Sequence, residues 1–282
     1  MRQPARIATW AAAGGIVLLA LIWYAAFHVG VSEHADGAVF RAFTDLRRPR
    51  VDHVAAFLVG LCNPKPYVCL CAVVLLLALA RRRVSVAVAI AAILLAANVT
   101  TQLLKVLLSQ PRYSLVAGGV ASSPAGSWPS GHSTAAMSLA LCSVLAAPSI
   151  LRPLVAPIGG GFAVAVGYSL LTLGAHFPSD VLAGFLVAAT WTMLAIAALS
   201  VLGTRRSRRE DPRTVGRVSV RAALAPGAAA LLAALLLALV AVVARPHDVV
   251  AYAGREALVV GAAAIATIGV AVATGVMLAL RR

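Results

Sequence analysis

The sequence predicts an all-α, polytopic membrane helical bundle: a six-span core followed by two additional C-terminal transmembrane helices. Three observations lead there. Of 282 residues, 61% are hydrophobic and only 12% charged, a balance that suits a bilayer and not a water-soluble domain of this size. The apolar residues gather into eight segments of about 20 residues, the length that crosses a hydrocarbon core of roughly 30 Å. The basic residues collect between those segments, as the positive-inside rule expects.

The segments run approximately over 7–29, 55–80, 84–108, 132–151, 154–174, 179–203, 222–244 and 257–280. The first is too long for the apolar region of a signal peptide and is read as a retained helix. The second is interrupted by Asn63-Pro64-Lys65-Pro66, which moves its true start toward Pro66 and leaves residues 53–62 as a short interfacial helix. Residues 1–203 form the six-helix core. Residues 204–221 form a basic cytoplasmic linker, and 222–282 a two-helix extension. Ala262 with Ala266 and Gly269 with Ala273 are spaced for close helix packing. In so Ala-rich a chain that spacing fits chance as well as a homo-oligomer formed through the C-terminal helices.

Charge sets an orientation. With the N-terminus in the cytoplasm, that side holds 15 basic residues against Glu210 and Asp211. The other side holds nine basic residues against seven acidic ones. Both termini are therefore expected in the cytoplasm of a bacterial plasma membrane. The loop 109–131 and the turn 175–178 then share the extracytoplasmic face. The net charge of +15 reads as a topology signal and an attraction to anionic lipid headgroups, with no nucleic-acid partner. The four cysteines (Cys62, Cys69, Cys71 and Cys142) lie in or beside apolar runs and lack zinc-motif spacing, so they read as small core residues and no metal or cofactor is expected.

Three polar elements stand out against this apolar background. Lys105 and Arg112, seven residues apart, would share a face if the helix continued through both, with Pro111 as a possible break. A lysine within the hydrocarbon costs roughly 3 kcal/mol, so it belongs at a polar cavity or snorkels to the surface. Pro129-Ser130-Gly131-His132 opens the fourth segment. Ser130 suits an N-cap, and the first N–H groups of a helix have no internal partner and attract anions. His132 beside them is placed to donate a proton. His176 and Asp180 are four residues apart with Pro178 between them, so the carboxylate can orient the imidazole and raise its basicity. Taken singly, each element also reads as an ordinary helix end with a capped or snorkelling side chain. Taken together they suit a phosphate ester, which needs its oxygens held, a nucleophile in line and a proton for the leaving oxygen.

On these residues the chain resembles the type 2 phosphatidic acid phosphatase family, also called the lipid phosphate phosphatase family. Its signature is Lys-x6-Arg-Pro, then Pro-Ser-Gly-His, then Ser-Arg-x5-His-x3-Asp. Here the elements read Lys105 to Arg112-Tyr113, Pro129 to His132, and Ser169-Leu170 to His176 and Asp180. The resemblance covers about residues 1–203. It implies His176 as nucleophile, Asp180 as its orienting group and His132 as acid for the leaving group. It implies Lys105, Arg112, Ser130 and Gly131 as phosphate ligands, and no metal. The implied activity is hydrolysis of a lipid phosphate or diphosphate, of polyprenyl or glycerolipid type, at the outer membrane face through a phosphohistidine. The same residues would serve a lipid phosphotransferase, and a non-catalytic lipid transporter or binding protein is the alternative from another class. Tyr113 and Leu170 depart from the signature. Leu170 replaces a phosphate-clamping arginine, a loss worth about 1.5–3 kcal/mol of charge-assisted contact, and Arg41, Arg47, Arg48, Arg50, Lys65, Arg245 and Arg255 all lie on the correct side of the membrane to replace it.

Overall fold

A computed structural model describes the backbone of residues 3–110, 112–116, 119–123, 126–206 and 256–280, and the side chains of 5–110, 126–202, 258–277 and 279–280 within them. Residues 207–221 of the expected linker 204–221, and the seventh segment, 222–244, lie outside the described residues.

The chain is a helical bundle. Its elements are α1 (Gln3–His28), α2 (Gly30–Thr44), α3 (Pro49–Gly60), α4 (Pro64–Ala80), α5 (Val84–Leu108), β1 (Arg112–Val116), β2 (Gly119–Ser123), α6 (Gly131–Ala146), α7 (Arg152–Thr172), α8 (Pro178–Arg206) and α9 (Glu256–Ala279). Among the described residues five helices are long and apolar enough to span a membrane, and a sixth span results if α3 and α4 count as one. The two meet at 55°. The break falls at Asn63-Pro64, as the sequence predicts: Pro64 opens α4 and Asn63 precedes it in extended conformation, because proline has no N–H to continue the earlier helix.

Helix α6 is the axis of the bundle. It touches α4, α5, α7 and α8, and almost every side chain on it is buried. That explains why it is apolar all round and carries no stripe. It is shorter than the fourth segment read from the sequence, ending at Ala146 and not near residue 151. Pro148 follows the end, and a helix avoids the residue before proline. At 1.5 Å per residue its 16 residues cover about 24 Å. At its far end Arg83 donates from Nη1 to the carbonyls of Leu145 (3.0 Å) and Ala146 (3.5 Å), satisfying acceptors that a helix end leaves unpaired.

Three elements were not foreseen from the apolar pattern. Helix α2 is mixed in composition and lies between the first two spans. The antiparallel hairpin β1–β2, pairing Arg112 with Ser123 and Val116 with Gly119, is the one departure from an all-α architecture among the described residues. Its first strand begins at Arg112, and α5 stops at Leu108 with Ser109 extended. Lys105 and Arg112 therefore do not share a helical face. The extended Ser109 ends the helix between them.

Helix α9 packs on α7, α8 and α2. Its small residues let it sit close: a Cβ on Gly269 would meet Val164, and one on Gly261 would run into Val39. The Tyr168 hydroxyl donates to the Ala262 carbonyl at 2.6 Å. The small-residue face read in the sequence is thus occupied within the chain itself.

A close contact between helix backbones lies at the motif end. A Cβ on Gly184 would stand 2.7 Å from the Ser130 carbonyl and 2.9 Å from Ser133 Cβ and Thr134 N. Gly184→Ala should therefore destabilise the protein by about 1–3 kcal/mol through overpacking, read as a lowered thermal unfolding midpoint in detergent. Gly14, with nothing within 4 Å of an added Cβ, should tolerate alanine without that loss.

Candidate active site

The motif residues converge at one end of the bundle. Ser130 is the N-cap of α6, accepting from Ser133 N–H at 3.3 Å. It is fully buried, so its hydroxyl serves the helix start. Its own N–H donates to the Asp180 carbonyl at 2.9 Å, tying the first turn of α6 to that of α8. A Cβ at Gly131 would stand 3.8 Å from both Lys105 Nζ and Gln102 Nε2. The ammonium therefore faces the start of α6, where the N–H groups of Gly131 and His132 have no partner one turn earlier. Arg112 opens β1, and its side chain lies outside the described residues.

The second histidine motif follows from the end of α7. Gly174 takes φ +71°, a left-handed conformation that favours glycine. Its N–H bonds the Leu171 carbonyl and the Ala175 N–H bonds the Leu170 carbonyl, the double bond that closes a helix C-terminus. The chain is thereby turned so that His176 points back toward α6. Pro178 opens α8. Asp180 Oδ2 accepts from Phe177 N–H at 3.0 Å and lies 3.2 Å from His176 Nδ1. The carboxylate is wholly buried and the imidazole 11% exposed. A buried carboxylate accepts the Nδ1 proton and leaves Nε2 with its lone pair free.

His132, His176 and Lys105 lie near one another, and Lys105 lies near Asp180. His132 Nε2 also sits 3.0 Å from Asn63 Oδ1, so the bend between α3 and α4 fixes the orientation of that ring. Asp36 of α2 accepts from Ser179 N–H at 2.9 Å and from Ser179 Oγ at 2.6 Å, and Phe40 stacks on Phe177 at 4.7 Å. Leu170 does not reach the site. It is 1% exposed and packs into the core.

Asn63, Gln102 and Asp36 were missed in the sequence. Gln102 carries a signal, since it precedes Lys105 by one helical turn. Asn63 marks the proline break, but nothing in the sequence links it to His132. No signal singles out Asp36.

The arrangement is a buried His–Asp pair beside an anion-attracting helix start inside a polytopic helical bundle. Residues 86–204 match the family model of the PAP2 superfamily, a segment holding both histidine motifs and Lys105. The chain is thus a multi-pass membrane protein whose segment 86–204 is similar to the PAP2 superfamily. In fold it is similar to the crystal structure of a transmembrane PAP2 type phosphatidylglycerolphosphate phosphatase from Bacillus subtilis, with 20% identity, a TM-score of 0.55, and coverage of 71% of this chain and 100% of that one. No curated protein matches the chain in sequence.

If Asn63 orients His132, Asn63→Ala should lower turnover about tenfold or less, the scale of one neutral hydrogen bond. Asn63→Asp, which keeps the acceptor, should lose less. Phosphate release at saturating substrate measures both.

Proposed function

We propose that this protein is a membrane phosphatase that hydrolyses a lipid phosphate or diphosphate, of polyprenyl or glycerolipid type, through a phosphohistidine intermediate. The observation that carries the reading is the buried His176–Asp180 pair, held at 3.2 Å beside the first turn of α6. The match of residues 86–204 to the PAP2 superfamily supports a phosphatase, and the apolar bundle supports a lipid substrate.

In this mechanism the phosphoryl oxygens lie against Lys105, the N–H groups of Gly131 and His132, and Arg112. His176 Nε2 attacks phosphorus while its Nδ1–H stays on Asp180. As the P–O bond to the lipid breaks, His132 gives its proton to the leaving oxygen. Water then attacks phosphorus, His132 takes a proton from that water, and the P–N bond breaks to release His176 neutral, with inorganic phosphate as product. Side chains supply the nucleophile, the acid and the phosphate-holding cations, so the reaction proposed here needs no metal. The asymmetry of basic residues supports cytoplasmic termini in a bacterial plasma membrane and a site open to the extracytoplasmic side.

Purified protein in detergent should release phosphate from such lipids. His176→Ala and His132→Ala should each reduce release by several orders of magnitude. Wild-type rates in both variants would overturn the mechanism. In His132→Ala, acid-labile labelling of the protein by a radioactive substrate should depend on His176. Prior treatment with a metal chelator should leave the wild-type rate unchanged.

A further inference from the structure

Helix α2 lies along the turn that carries His176. Asp36, Phe40 and Thr44 follow one another at four-residue spacing, which sets them in a row on one face of the helix. Each meets that turn. A Cβ at Gly174 would stand 3.5 Å from Thr44 Cγ2 and 3.7 Å from Phe40 Cζ. Phe40 also stacks on Phe177, with ring centroids 4.7 Å apart and planes 28° from parallel, and both residues are buried. Asp36 accepts from the Ser179 N–H at 2.9 Å and from the Ser179 hydroxyl at 2.6 Å. Contacts to α2 therefore flank His176 on both sides in the chain.

The bonds to Ser179 answer a need of α8. A helix start leaves its first N–H groups without partners, and the residue before the helix commonly covers the second or third with a side-chain oxygen. Here that residue is Phe177, which has no such oxygen. Asp180 covers the Phe177 N–H and also holds His176. The oxygen for Ser179 comes from Asp36, 143 residues earlier.

The opposite side of α2 is backed. Val39 leaves no room for a Cβ at Gly261 of α9. Phe43 packs on Tyr168 of α7, ring centroids 5.4 Å apart, and the Tyr168 hydroxyl donates to Ala262 of α9. Helix α2 is thus wedged between α9 and the turn. Both α2 and α9 lie outside residues 86–204, the segment that matches the PAP2 superfamily.

We propose that α2 is a splint for the nucleophile, with Asp36 as a positioning residue that acts through Ser179 on the His176–Asp180 pair. By taking both Ser179 donors, Asp36 leaves the Asp180 carboxylate to Phe177 and His176, and the imidazole keeps one orientation for attack. The catalytic part rests on the lipid-phosphatase reading; the holding of the turn does not, and the test separates the two.

The full chain is assayed in detergent with a water-soluble short-chain lipid phosphate, and rates are taken per folded protein. A displacement of about 1 Å costs on the order of a hundredfold in rate, so Asp36→Ala should lower kcat about ten- to a hundredfold. KM should hold, because Lys105 and the start of α6 are untouched. Asp36→Asn, which keeps an oxygen for the N–H and an amide for the hydroxyl, should recover most of the loss. Ser179→Ala removes the hydroxyl bond alone and should lower kcat by less; it reads the same proposal if Asp36→Ala does not fold. Amide hydrogen exchange over residues 174–181 should rise in Asp36→Ala and Ser179→Ala. A purely structural role would lower the unfolding midpoint and leave kcat per folded protein unchanged, and that result overturns the positioning role, as does a loss carried by KM. Unchanged exchange over 174–181 overturns the splint itself. Wild-type protein that releases no phosphate from lipid phosphates would overturn the phosphatase reading, while the exchange series still decides whether α2 holds the turn.

Discussion

The working end of this protein depends on how closely α8 approaches α6. Gly184 removes the one side chain that would hold them apart, and the Ser130 N–H then reaches the Asp180 carbonyl. Asp180 acts in two directions at once. Its backbone oxygen holds the start of α6, and its carboxylate holds His176. The residue that orients one histidine thus also locates the helix that carries the other. A shift of α8 by a fraction of an ångström would disturb both.

Within a bilayer, lipid tails are as apolar as leucine, so helices gain little from burying hydrophobic surface on one another. The bundle is held by small residues and by polar links between helices. Thr101 on α5 bonds Thr134 on α6 at 2.9 Å, and Thr134 also donates to the Ser130 carbonyl. Tyr67 of α4 meets both Ser138 of α6 and Asn98 of α5. Trp191 of α8 donates to Thr100 of α5 at 3.0 Å. The links from Thr134 and Ser138 start on the same short central helix whose first turn faces Lys105, so the order of that end is inherited from the axis of the fold.

Much of this was legible in the sequence because the relevant signals are local. Apolar runs mark the spans, Ser130 marks a helix start, a four-residue spacing brings Asp180 to His176, and Pro64 marks the bend. What escaped depends on contacts across long separations. Asn63 meets His132 from 69 residues away and Asp36 meets Ser179 from 143, and no local pattern encodes such meetings. Helix α2 escaped because it is too polar to register as a span. The end of α6 was placed too late because its apolar run continues past Pro148, where sterics and not hydropathy decide. Leu170 shows another limit: the motif aligned it with a phosphate clamp, yet its side chain is in the core.

Two helix beginnings lie side by side at this site, and they are dressed differently. The start of α8 carries two carboxylates, Asp180 in its own first turn and Asp36 bonded to its second residue. The start of α6 is capped by an uncharged serine. Each helix begins with a partial positive charge of about half an elementary unit. On α8 that charge is already balanced by acid groups, so an incoming dianion is repelled there. On α6 it remains available and is reinforced by Lys105. The pair forms a short electric gradient that favours an anion at the serine-capped helix, beside the histidine of the carboxylate-capped one.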